Sequence, residues 1–211
     1  MCAIFGSYSR DVFYELMELN SYRGFHSYSI SVYDPIKRDI KIVKKGLGHF
    51  DASNVEDYMG VYWIGHIQAP TTEAKSLDTV HPSAWPSHNT YMWHNGILKE
   101  DCIKMMQAAL DTKVIWDTKL LHHWLLDRRS LSDVDGTFSC LMYEQGDILL
   151  FRNEISPMFI DDQLNISSTK FTDSVRTPAN SVLKLDFINN VPVEVETFST
   201  KENPYYFANG V

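Results

Sequence analysis

Cysteine follows the initiator methionine at position 2, and that placement carries the first chemical reading of the chain. A small second residue permits removal of Met1, which leaves Cys2 with a free α-amine. The ordinary pKa of such an amine, ~7.7–8.0, lies close to the ~8.5 of a thiol, so one residue can supply both a nucleophile and its base. With Met1 retained the nitrogen is a non-basic amide, and Cys2 is simply a small residue after the start. A second constellation is His94-Asn95-Gly96. Asn-Gly is a common turn pair. It is also a pair whose side-chain and backbone N–H groups can converge on the oxyanion of an acyl transfer. Gly65-His66-Ile67-Gln68-Ala69-Pro70-Thr71 reads as a strand end opening into a polar loop. Tyr22-Arg23-Gly24-Phe25-His26-Ser27 sets an arginine beside a glycine between a helix and a strand, where arginine is ordinarily a solvated surface group. Asp117 precedes a helical stretch and suits an N-cap. The doublet His122–His123 reads as helix surface plus packing, and no metal or cofactor site is expected.

The elements that must hold these groups follow from hydrophobic periodicity. An opening strand is expected from Cys2 to Tyr8, then a short helix near Asp11–Leu19 with Val12, Leu16 and Leu19 on one face. Ser27–Asp34 alternates, with Tyr28, Ile30 and Val32 one way and Ser29 and Ser31 the other, which reads as a half-buried strand. Ile40–Lys45 is its hairpin partner, and Val61–Ile67 is a further strand. Tyr91–Trp93 reads as a short strand ending in a turn at Asn95–Gly96. Two helices follow: Lys99–Leu110, with Ile103, Met106 and Leu110 inward, and Thr118–Asp127, with Leu120, Leu121, Trp124 and Leu125 inward. Strands return at Phe138–Tyr143, Ile148–Phe151, Met158–Ile160, Leu164–Ser167, Val182–Phe187 and Val191–Thr197, with turns at Gln145–Gly146, Asp161–Asp162 and Asn189–Asn190. Strands, two helices, then strands suggest two sheets with helices outside. No linker or repeat interrupts 1–211, which reads as a single domain.

Composition narrows the function. A net charge of -8 argues against nucleic acid as the main partner, because phosphate binding needs a basic surface. No run approaches the ~18 apolar residues of a membrane span, and no charged leader with an apolar stretch opens the chain. Cys2, Cys102 and Cys140 make an odd count without a CxxC, which fits neither a disulfide framework nor a zinc site and suits a reducing cytoplasm.

In order along the chain, these segments resemble the class II glutamine amidotransferases, the Ntn-type glutaminase domains. Met1-Cys2-Ala3-Ile4-Phe5-Gly6 is similar to the family's Met-Cys-Gly-Ile-Phe-Gly opening, and Tyr22 to Ser27 to its Arg-Gly-x-Asp-Ser glutamine loop. Gly65 to Thr71 resembles the Gly-His-x-Arg-x-x-Thr segment. His81-Pro82, His94-Asn95-Gly96-Ile97, Asp117-Thr118, Asp135-Gly136-Thr137-Phe138 and Leu150-Phe151-Arg152-Asn153 through Pro157 follow in order, so the likeness runs to about Leu185. The resemblance implies an α+β fold, a four-layer αββα sandwich of two antiparallel sheets between helices. It implies that Cys2 attacks the side-chain amide of glutamine, giving a γ-glutamyl thioester and ammonia, with Asn95 and Gly96 as the oxyanion hole. Asp117 would hold the substrate α-ammonium, Thr71 would help hold its α-carboxylate, and Arg23 would belong to a loop closing over the amino acid.

Three positions depart from the pattern. Gln68 stands where the family has the arginine that clamps the carboxylate, Ala3 replaces a glycine, and His26 replaces an aspartate. Losing a charged hydrogen bond, worth ~1.5–3 kcal/mol, weakens glutamine binding roughly tenfold to a hundredfold. A related amide substrate, or a degenerate subunit that keeps the fold, therefore stands beside glutamine as a reading. No acceptor domain is expected after the glutaminase-like region, so either a separate protein would receive the ammonia or it would be released free.

Overall fold

Two antiparallel sheets face each other, and the alternation of side chains along their strands decides the layers. The computed structural model describes residues 2–69 and 76–200. One sheet orders its strands β11 (Val175–Arg176), β9 (Phe159–Ile160), β10 (Ile166–Ser167), β1 (Ala3–Ser7), β4 (Tyr62–Gln68), β2 (Ser27–Asp34) and β3 (Asp39–Leu47). The other orders β13 (Val191–Thr197), β12 (Ser181–Asp186), β8 (Asp147–Arg152), β7 (Gly136–Glu144), β6 (Thr90–Leu98) and β5 (Ser83–Trp85). Successive strand residues point to opposite faces, so Ile4, Tyr33, Ile64, Trp93, Leu141 and Leu150 meet in a core between the sheets. Their neighbours in sequence point outward. Ala3, Phe5, Ile30 and Trp63 pack under α1 (Arg10–Asn20). Met92, Phe138, Cys140 and Met142 pack under α2 (Glu100–Ala109) and α3 (Asp117–Leu126). The result is the αββα sandwich. Among the described residues no helix is long and apolar enough to cross a membrane.

Each helix sits where its sequence permits a start and an apolar face. Ser9 caps α1 by accepting from the Val12 N–H, and Asp11 lies in the positive first turn. The buried face of α1 is Phe13, Leu16 and Asn20, whereas Leu19 is exposed. The helix is thus rotated from the Val12/Leu16/Leu19 stripe, because Phe13 joins an aromatic cluster with Phe5, Phe50 and Trp63. In α2 the buried residues are Cys102 and Met106, with Ile103 and Leu110 partly buried against the same cluster. In α3 Leu120, Leu121 and Trp124 are buried as expected and Leu125 is partly so.

Three further expectations change. The strand expected at Tyr91–Trp93 is β6, and it continues straight through Asn95–Gly96, paired with β7 from Thr90↔Glu144 to Leu98↔Gly136. There is no turn at Asn-Gly because a full-length partner takes up the backbone. β2 is buried on both faces rather than half-buried, since Ser29 and Ser31 face the second sheet rather than water. Of the His122–His123 doublet, His122 is the packing member, fully buried and held between the Ser83 and Thr90 hydroxyls at 3.0 Å each, while His123 is half-buried. Asp117 is the first residue of α3, and the cap position is Trp116.

Candidate active site

Strand parity brings the sequence's candidate groups to one end of the space between the sheets. Ile4 lies in the inter-sheet core, so Cys2, two residues earlier, projects to the same side. Ile64 is inward, and with it His66 and Gln68. Trp93 is inward, and with it Asn95. The pairing Ala3↔Ile67 sets Cys2 beside Gln68, and Ser27↔Gln68 continues the row into β2. Cys2 is 6% exposed. Burial pushes its thiol up to about 11, while a hydrogen bond with the Ala69 backbone pulls the other way. The charges of Asp117 and Arg23 also act on this thiol, with opposite signs.

Arg23, expected at the surface, is only 8% exposed. Its Nε donates to the carbonyl oxygen of Cys2 at 2.9 Å, and its Nη1 reaches Thr169 Oγ1 at 3.3 Å. The neighbouring Gly24 is forced by contact: a Cβ there would lie 2.5 Å from the carbonyl oxygen of Gln68 and 2.6 Å from the Ala69 nitrogen. The loop therefore rests directly on the end of β4, where the His26 N–H bonds the Gln68 carbonyl at 3.0 Å.

Asn95 Nδ2 donates to Ser168 Oγ at 3.3 Å. The same oxygen accepts from the Ile4 N–H at 3.0 Å, and the Ser168 N–H returns to the Ile4 carbonyl at 2.9 Å. Gly96 lies opposite Phe138, whose N–H and C=O are both turned toward Asn153. Gly96 and Phe138 are thus a non-hydrogen-bonded pair, and the Gly96 amide points away from β7. Its neighbours in phase point the same way. The His94 carbonyl accepts from His66 Nε2 at 3.1 Å, and the Leu98 N–H reaches Asp117 Oδ2 at 3.5 Å. A Cβ on Gly96 would stand 1.9 Å from the Thr137 carbonyl oxygen, so no other residue fits.

Behind this edge lies a cluster of imidazoles. His94 Nδ1 and His81 Nε2 both contact Thr118 Oγ1, at 3.1 and 3.0 Å, and His81 stacks on His66 with ring centroids 3.9 Å apart. Burial drives His66 down to about 3 and His81 well below its usual value, so both rings are uncharged at neutral pH. Asp117 is half-buried, its Oδ1 accepting from the Thr118 N–H at 2.7 Å. Gln68 Oε1 accepts from Ser27 Oγ at 2.6 Å, so the residue at the expected arginine position is tied to its neighbouring strand. Cys2, Arg23, Gln68, Asn95, Gly96 and Asp117 all converge on this end; Thr71 and Met1 lie outside the described residues. Ser168 was missed by sequence reading, although Ser167-Ser168-Thr169, three hydroxyls ending a strand, marks the spot.

No protein-family model and no curated protein matches the chain. Its structure is similar to that of glutamine phosphoribosylpyrophosphate amidotransferase from B. subtilis complexed with ADP and GMP, with a TM-score of 0.71 at 18% identity. That match covers 94% of this chain and 49% of the other. A structure described as the allosteric regulatory enzyme of purine biosynthesis aligns at a TM-score of 0.65 and 17% identity, covering 88% and 47%. The chain shares the two-sheet αββα fold of the aligned parts of these structures. It spans about half the length of both neighbours. At such identity the likeness speaks to the amidotransferase fold, and the chemistry rests on this chain's own residues.

Proposed function

We propose that this chain is a glutaminase: it hydrolyses the side-chain amide of glutamine through Cys2, exposed as the N-terminal residue once Met1 is removed. The observation that carries the reading is the convergence of a cysteine at position 2, the Asn95 side-chain amide and the outward-turned Gly96 N–H at one end of the sandwich. In the reaction the Cys2 α-amine takes the thiol proton and sulfur attacks the amide carbon. Asn95 and Gly96 donate to the oxyanion that forms. The C–N bond breaks as the ammonium returns the proton to the leaving nitrogen, giving ammonia and a γ-glutamyl thioester. Water, deprotonated by the same amine, hydrolyses the thioester to glutamate.

Substrate binding follows the same frame. Asp117 takes the α-ammonium, and Thr71 with Gln68 takes the α-carboxylate. Arg23 holds the nucleophile's own carbonyl in place. Ammonia passes to an acceptor protein or region distinct from this domain, which accords with a chain about half as long as its neighbours. Three cysteines without a CxxC accord with a cytoplasmic, reducing setting.

A second reading draws on Gln68. Its Oε1 is held by Ser27, and it offers an amide where a guanidinium would bring charge. That arrangement also suits a small amide lacking a carboxylate at that position. Steady-state hydrolysis of L-glutamine and of uncharged amides by the processed protein separates the two. Turnover of glutamine supports the first reading, turnover of uncharged amides alone supports the second, and no turnover of either contradicts both.

A further inference from the structure

Ser168 stands between the two halves of the proposed chemistry. It is 1% exposed and immediately follows β10, which pairs with the nucleophile strand through Phe5↔Ser167 and Gly6↔Ile166. A serine hydroxyl has two lone pairs. At Ser168 one takes the Ile4 N–H at 3.0 Å, two residues from Cys2, and the other takes Asn95 Nδ2 at 3.3 Å. One oxygen therefore sets the spacing between the β1 backbone and an amide on the opposite sheet. The oxygen is itself anchored. The Ser168 N–H bonds the Ile4 carbonyl at 2.9 Å, Ser167 Oγ takes Asn20 Nδ2 at 2.8 Å, and Thr169 Oγ1 donates to Asn20 Oδ1 at 2.8 Å.

An asparagine amide is free to rotate about its terminal torsion, and only its nitrogen end can donate to an oxyanion. Here the nitrogen end is the one turned to Ser168 Oγ. With one N–H spent on Ser168, the second N–H of Asn95 has a defined direction. We propose that Ser168 is a positioning residue that orients the Asn95 amide relative to Cys2 for the reaction. The inference rests on the glutaminase reading, and a double-mutant cycle separates their failures.

Glutamate formation from L-glutamine is measured for processed wild-type protein, Ser168→Ala, Asn95→Ala and the double variant, with thermal unfolding of each. Ser168→Ala lowers kcat ~10–100-fold with KM nearly unchanged, because the lost orientation matters only in the transition state. In the Asn95→Ala background the same substitution costs nothing further, since residues acting through one another are not additive. Ser168→Thr, which keeps the oxygen, retains most of the wild-type kcat. Equal losses from Ser168→Ala in both backgrounds would overturn the proposal while leaving the glutaminase reading intact. Absence of turnover in the wild type would overturn both. Where Ser168→Ala does not fold, Ser168→Cys, a weaker acceptor of similar size, takes its place in the cycle with the same expected and contrary results.

Discussion

Arg23 Nε donates to the carbonyl oxygen of Cys2 at 2.9 Å, so the arginine beside the glycine loop is spent on the backbone of Cys2. This separates two roles that sequence leaves entangled, holding the nucleophile and clamping a substrate carboxylate. Arg23→Ala should lower kcat for glutamine by ~10-fold or more, since a buried charged hydrogen bond worth about 1.5–3 kcal/mol is lost at the reacting residue. A rise in KM with unchanged kcat would instead make Arg23 a carboxylate clamp.

Gln68 gives the complementary test. Gln68→Arg introduces a charge-assisted clamp at the cost of the Ser27 bond, and should lower KM for glutamine about tenfold. Steady-state kinetics on glutamine checks it. An unchanged or raised KM would place the carboxylate elsewhere.

Gly96 and Asn95 should fail in different ways. Asn95→Ala should reduce kcat by ~10²–10³ with little change in melting temperature, as loss of one oxyanion donor does. Gly96→Ala should lower the melting temperature, because its Cβ would stand 1.9 Å from the Thr137 oxygen and 2.7 Å from His94 Nε2. Thermal unfolding and initial rates on the same preparations distinguish the two.

Buried histidines make stability sensitive to acid. Burial, reinforced by the positive Lys119, lowers His122 from 6.5 to about 3. The folded ring stays neutral while the unfolded one protonates near 6.5. His122 therefore costs nothing above pH ~6.5 and erodes stability as pH falls from there toward about 3. His66 acts in the same direction. Between pH 7 and 5, His122→Gln should lose less stability than wild type by about 1–2 kcal/mol. Urea unfolding at the two pH values measures it, and equal losses would mean that His122 titrates alike in both states.

Much of the architecture was legible because it depends on local alternation. Ser27–Asp34 and Val191–Thr197 were bounded correctly, and the turn at Gln145–Gly146 appears with both residues at positive φ. What local pattern cannot carry is the partner. Asn95–Gly96 looked like a turn because nothing nearby announces β7, and the serines of β2 looked solvated because the second sheet that covers them lies far along the chain. β5 and β11 escaped notice because three and two residues hold too little pattern. At the site, Cys2 and Asn95 drew notice by residue type and Asp117 by the motif it resembles. Ser168 acquires meaning only through contacts with Ile4 and Asn95, 164 and 73 residues away.

The thiol at position 2 bears the whole account. With burial raising it to about 11, the thiol is protonated at neutral pH and, in the proposed reaction, needs a base at hand, the role assigned to the freed α-amine. Intact-mass analysis and glutamine turnover, measured together on processed wild-type, Met1-retaining and Cys2→Ala protein, test this most directly. Turnover should appear in the protein lacking Met1 and vanish in the other two, and a glutamine-mimicking electrophile should add one mass increment at Cys2 and none at Cys102 or Cys140. Full turnover with Met1 retained, or in Cys2→Ala, would contradict the account.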